Sequence, residues 1–167
     1  ALAQYCLDKK LVDGVIQIQA SQDDPLENVA VISRSRQNVI ASSGSRYAPA
    51  SPAEALKWVA MSTEKYLFIG KPCDVGAVRQ MQQHNPRLKE NIPLIVSFMC
   101  AGTPSLHGTH QVLDQLEVER DEVTAFRYRG DGWPGLTKAT LKNGESRTMT
   151  YNDSWGKVLN RHLQTRC

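Results

Sequence analysis

Two cysteines, Cys73 and Cys100, stand in matching places. Each follows an apolar run with strand character and lies in a turn built from Gly, Pro and Thr. A thiolate there is a natural ligand for iron or zinc, because those metals favour sulfur. Their separation, 100 − 73 = 27 residues, fits no compact zinc pattern. Two readings stand side by side: buried structural thiols, since free Cys is often buried, or two thiolates aimed into one site. Cys167 ends the chain after Arg166, and Cys6 is the fourth cysteine.

Two further stretches could bind a ligand. In Gly44-Ser45-Arg46-Tyr47 the small residues let backbone approach a ligand, Arg46 could hold a phosphate, and Tyr47 could stack on a ring. The plain alternative is a surface loop, since neither G-x-G-x-x-G nor a P-loop lysine motif occurs. Phe126-Arg127-Tyr128-Arg129-Gly130-Asp131-Gly132-Trp133-Pro134-Gly135 is dense in arginine, aromatics and glycine. It reads either as an edge strand entering a tight turn or as a binding lip. In the lip, Arg127 and Arg129 meet an anionic substrate and Trp133 offers a flat surface. A serine-hydrolase reading fails for lack of a G-x-S-x-G elbow. His107 and His110, three apart on one expected helix, could chelate a metal, though a solvated face is the plainer reading.

The elements that must carry these residues follow from periodicity and punctuation. Helices are expected over 2–12, 36–41 capped by Ser35, 51–62 capped by Ser51, 74–84, 104–116 and 154–163. Strands are expected over 15–19, 29–33, 66–69, 94–99, 123–129, 136–141 and 147–151. Asn143–Gly144 marks a hairpin. Strand–turn–helix occurs twice in the middle of the chain, which is the pattern of a parallel α/β unit. The expected fold class is therefore α/β: a mixed, partly parallel sheet with helices on its faces and a C-terminal hairpin region. It is read as one domain, with 1–120 holding the strand–turn–helix part and 121–167 the hairpin and last helix. In such sheets ligands bind where loops leave the carboxyl ends of strands. The turns Gly70-Lys71-Pro72 and Gly102-Thr103 occupy those ends.

Bulk properties narrow the partners. The chain has 167 residues, 41% hydrophobic and 22% charged, with a net charge of +3. That suits a folded domain with a real core and argues against disorder. Lys and Arg are dispersed among acids, so no nucleic-acid footprint is present. No apolar run reaches the ~18 residues of a membrane span. Without a signal-peptide pattern the expected location is cytoplasmic, where the disulfide reading is weak. The chain opens inside an apparent helix without Met and ends on Arg166–Cys167. It is expected to be a fragment lacking both ends.

Four motifs then fall in order: Gly70-Lys71-Pro72-Cys73-Asp74, Phe98-Met99-Cys100-Ala101-Gly102-Thr103-Pro104-Ser105, the 126–135 lip, and Ser154-Trp155-Gly156 with Arg166–Cys167. Together they resemble the beta subunit family of coenzyme F420 hydrogenases and dehydrogenases. The resemblance implies an oxidoreductase subunit that passes electrons between an iron–sulfur cluster of the [4Fe–4S] type, FAD, and a substrate or partner such as a deazaflavin coenzyme. It implies Cys73, Cys100 and Cys167 as cluster ligands, three of the usual four thiolates. In the family a second Cys follows the Arg–Cys step, and this chain stops before it. Ser45, Arg46, Tyr47, Gly70, Lys71, Pro72, Gly102 and Thr103 are the residues expected to bind cofactor, and Arg127, Arg129 and Trp133 the substrate. Asp74 stands where Gln is common in the family. The expected partners are an electron-transfer protein or subunit and a small-molecule redox substrate. Two alternatives remain open: a non-catalytic scaffold or partner-binding module of the same fold, of the kind linked to polysaccharide biosynthesis, and a zinc enzyme using the cysteines.

Overall fold

The computed structural model describes residues 1–167. They form two compact units: Ala1–Gln19, Val29–Ser43 and Ser51–Cys100 in the first, Ala20–Asn28, Gly44–Ala50 and Ala101–Cys167 in the second. The fold is α/β, as the periodicity predicts.

The first unit is built on β1 (Gly14–Ala20), β2 (Asn28–Ser33), β3 (Tyr66–Gly70) and β4 (Leu94–Ser97), in the order β2-β1-β3-β4. The β1–β3 and β3–β4 pairs are parallel. Alternate side chains of a strand face opposite sides of the sheet, and both sides are covered here. Ile16 and Phe68 pack with Leu56, Val59, Val78 and Leu88. Those partners come from α3 (Leu56–Val59), α4 (Pro72–His84) and α5 (Pro86–Asn91). Val15 and Leu67 pack with Ala3 and Cys6 of α1 (Leu2–Asp8). The second of the expected helices, α2 (Arg36–Ala41), is capped as anticipated: Ser35 Oγ accepts the Asn38 N–H at 3.1 Å.

Three expectations are corrected in this unit. The helix over 51–62 is a 3-10 turn, Pro52–Ala55, leading into the single α-turn of α3, and the Ser51 side chain makes no capping bond. The strand over 94–99 stops at Ser97. It is the sheet's outer strand and half exposed, and Phe98 and Met99 lie in the open beyond it. Helix α5 is additional. Asn85 caps it by accepting the Arg87 and Leu88 N–H groups at 3.1 and 3.4 Å, with Pro86 at the first helical position.

The second unit carries α6 (Leu106–Leu116) and an antiparallel meander of β5 (Val123–Arg127), β6 (Leu136–Leu141) and β7 (Ser146–Thr150). The hairpin turns at Asn143–Gly144 as its sequence demands, with Asn143 Oδ1 accepting the Glu145 N–H at 2.9 Å. Val112, Leu113 and Leu116 of α6 bury against Val123, Phe126, Tyr128 and Ala139. The helix expected over 154–163 is corrected: Asn152–Gly156 is a π-turn and Leu159–Arg161 a 3-10 turn. The Ser154 hydroxyl competes for the backbone there. It lies 3.2 and 3.3 Å from the carbonyls of Thr150 and Tyr151 and 2.6 Å from the Thr137 hydroxyl. No helix of the chain is long and apolar enough to cross a membrane.

Candidate functional site

The carboxyl ends of β3 and β4 hold the first set of residues. In the parallel register Gly70 pairs with Ser97. Cys73 follows Gly70 by three residues (73 − 70), and Cys100 follows Ser97 by three (100 − 97). The two thiols therefore leave adjacent strands at equal offsets. Both are free and exposed, which removes the buried-thiol reading for them; Cys6 is the buried one.

Cys73 lies in the first turn of α4. Pro72 opens that helix, and the Asp74 carboxylate accepts the Lys71 backbone N–H at 3.2 Å and its Nζ at 2.7 Å. An acid in the first turn also suits the helix dipole. Asp74 therefore fixes the turn that presents Cys73, a role its carboxylate fills directly. Lys71 is tied into the same ion pair. Gly70 has no room for a side chain: a Cβ there would lie 2.7 Å from Phe68 Cε1 and 3.0 Å from Asp74 Cβ.

Within the second unit the loop after Cys100 is clasped to the end of the chain. Pro104 bridges Leu163, the Ser105 N–H donates to the His162 carbonyl at 2.9 Å, and the Gln164 N–H donates to the Thr103 carbonyl at 3.0 Å. Gly102 sits at φ +108° with Leu163 Cδ2 where its Cβ would be, 2.9 Å away. Only glycine meets both demands cheaply. Gly102 and Thr103 are thus placed against Leu163 and Gln164, and Cys167 is exposed. The structure gathers no three His, Cys, Asp or Glu side chains into a metal-holding group.

Arg46 has a structural task. Its Nε donates to Asn28 Oδ1 at 2.7 Å, Nη1 to the Phe126 carbonyl at 2.9 Å, and Nη2 to the Pro25 and Glu27 carbonyls at 2.8 and 3.0 Å. The guanidinium also lies over the Tyr128 ring, 5.4 Å from its centroid. Burial pulls its pKa below the usual arginine range, while Tyr128 and Asp24 oppose that shift. Every nitrogen is engaged with protein, so Arg46 shapes the loop that presents Ser45 and Tyr47 instead of offering a free phosphate contact.

The third set is an aromatic ladder that sequence reading only half found. Arg129 stacks under Trp133 at 4.2 Å and over Tyr151 at 5.1 Å. Tyr151 stacks on Trp155 at 6.5 Å with ring planes 5° apart, and Trp155 meets Tyr47 at 4.7 Å. Tyr47 in turn packs edge-on to the buried Tyr128 at 5.5 Å. Arg129 Nη1 also reaches the Tyr47 hydroxyl at 3.4 Å. Burial and the neighbouring Tyr47 push the Tyr151 phenol up, and Arg129 pulls it back. Trp133 is 88% exposed and caps the ladder with a free ring face. Arg127, by contrast, is paired with Asp131 at 2.6 Å. Tyr151 and Trp155 carried no role in the sequence reading. Beyond the Ser154-Trp155-Gly156 motif, their signal was the aromatic spacing of four, which becomes a stack at the π-turn.

The first unit thus carries paired strand-end thiols on a parallel sheet, and the second an arginine–aromatic face. The chain belongs to the coenzyme F420 hydrogenase/dehydrogenase beta subunit family: residues 63–167 match the model of its C terminus and residues 1–57 that of its N-terminal part. It is 26% identical over 157 residues to the F420-dependent formate dehydrogenase subunit beta of Methanocaldococcus jannaschii, covering 89% of this chain and 38% of the relative. Its fold is similar, with a TM-score of 0.72 at 19% identity, to a chain of the F420-reducing [NiFe] hydrogenase complex from Methanosarcina barkeri, solved as a xenon derivative. That match covers 99% of this chain and 56% of the other. The chain thus spans between a third and three fifths of the relatives it matches.

Proposed function

We propose that the chain is part of an oxidoreductase subunit that passes electrons between a [4Fe–4S] cluster, FAD and a redox partner such as a deazaflavin coenzyme. The observation that carries this reading is the register of Cys73 and Cys100, which gives two exposed thiols equal offsets on adjacent parallel strands in a chain of this family. Thiolates fit iron. Cys73 and Cys100 would hold part of a cluster, with Cys167 and a further thiolate completing the usual four. A flavin, when bound, couples two-electron chemistry to one-electron carriers.

The chain's own residues bind and orient. Asp74 and Lys71 lock the turn carrying Cys73. Ser45 and Tyr47, on the loop that Arg46 holds, are assigned to cofactor binding, as are Gly70, Lys71 and Pro72 and, separately, Gly102 and Thr103. Arg129 and Trp133 receive the substrate, with Arg127 at the rim. The whole protein works in the cytoplasm with a partner subunit, and the F420 in both relatives' names supports a deazaflavin as the small-molecule substrate.

Trp133→Ala tests the substrate assignment. Loss of one aromatic face, worth about 1 kcal/mol, should raise the KM of the full-length protein for a deazaflavin about fivefold. Flavin content and kcat should stay unchanged. An unaltered KM would remove Trp133 from the substrate site.

A further inference from the structure

We propose that His107, Gln111 and His162 form a binding site for a divalent transition ion of the zinc, nickel or copper type, independent of the electron-transfer reading above. The two histidines are 162 − 107 = 55 residues apart, and the fold brings their rings to 5.1 Å, nearly perpendicular at 81°. His107 and Gln111 lie one turn apart on α6, on one face. His162 reaches them because α6 carries Gly108: a Cβ at that position would lie 2.9 Å from His162 Cβ. The segment bearing His162 is pinned on both sides, by the Ser105 N–H on the His162 carbonyl and by the Pro104–Leu163 bridge.

The three polar tips converge. Gln111 Oε1 lies 2.7 Å from His162 Nε2, and Gln111 Nε2 lies 3.2 Å from His107 Nε2. This pattern puts the proton of His162 on Nε2 and leaves the Nε2 lone pair of His107 free to accept. Both Nε2 atoms are therefore aimed at one side chain. An ion taking the place of the bridging amide gains two imidazole nitrogens, with the Gln111 carbonyl oxygen as a third neutral donor and water in the remaining positions. Binding displaces the Nε2 proton of His162, and one imidazole tautomerises or the proton is lost to solvent. Imidazole donors select borderline divalent ions over calcium or magnesium. His107 is exposed, so the ion enters from solvent. His110 is not a ligand: its Nε2 is buried away from any partner. The bound ion staples 159–164 to α6 and so shields the Arg161–His162 bond.

The test uses the 167-residue chain with Cys73, Cys100 and Cys167 changed to Ser, so that thiolates do not compete for the ion. Calorimetric titration with nickel chloride should show one saturable site per chain, and nickel should slow tryptic cleavage after Arg161. His107→Ala and His162→Ala should each weaken binding at least about tenfold, or about 1.4 kcal/mol. His84→Ala, on the other unit's exposed surface, should leave binding unchanged. If His162→Ala fails to fold, His107→Ala decides the matter alone, since its side chain is exposed on α6. Equal affinity in His107→Ala, or no saturable binding in the parent, overturns the proposal.

Discussion

Replacing Arg46 with methionine should lower the unfolding free energy of the chain by about 3 kcal/mol, the cost of stranding several acceptors that a charged donor had satisfied. The acceptors are Asn28 Oδ1 and the carbonyls of Pro25, Glu27 and Phe126. Each lost hydrogen bond to a charged group is worth roughly 1.5–3 kcal/mol, and water entering at the partly exposed rim recovers some of the sum. Methionine keeps most of the packing volume, so the loss reports the polar contacts. Lysine keeps the charge but not the fork of donors, and should fall between methionine and the native residue. Urea unfolding followed by tryptophan fluorescence measures this. If the midpoint does not move, Arg46 serves a ligand and not the fold.

The second large effect concerns the strand-end thiols. Cys73→Ser and Cys100→Ser, made singly in the full-length protein, should each remove most of its iron and acid-labile sulfide. A cluster missing a thiolate loses both a bond and a charge, and serine is the poorer donor for iron. Cys6→Ala is the control. Cys6 is buried against Val12, Val15 and Leu67, so its loss should cost packing and leave iron unchanged. Iron retained in both serine variants would assign the cluster to other residues.

Much of this was legible in the sequence because it is local. The apolar runs of β1 and β3 and the Asn143–Gly144 turn are decided by near neighbours, and each appears where its pattern put it; α4 begins at Pro72, two residues ahead of the expected 74–84, because Pro72 takes the first helical position and not the turn. The paired offsets of Cys73 and Cys100 were visible as strand–turn repeats, but their register needed the β3–β4 pairing. The last segment misled because its apolar spacing suits a helix, whereas Ser154 bonds Thr137 and the preceding carbonyls. Helix α5 was missed although Asn85–Pro86 is a fair start signal; six residues give too little periodicity to notice. The partners of Arg46 and the joining of the aromatic residues into one ladder could not be read. Arg46 meets Phe126 across 80 positions and Tyr47 meets Trp155 across 155 − 47 = 108, distances at which sequence spacing carries no information.

The cofactor content of the full-length protein, expressed and purified without oxygen, tests the central claim most directly. About four irons with matching sulfide, as one [4Fe–4S] cluster requires, together with one FAD per chain and a brown colour that bleaches on reduction, is the predicted result. A colourless, flavin-free protein that reconstitution with iron, sulfide and FAD leaves unchanged would contradict the account and favour a scaffold subunit of the same fold.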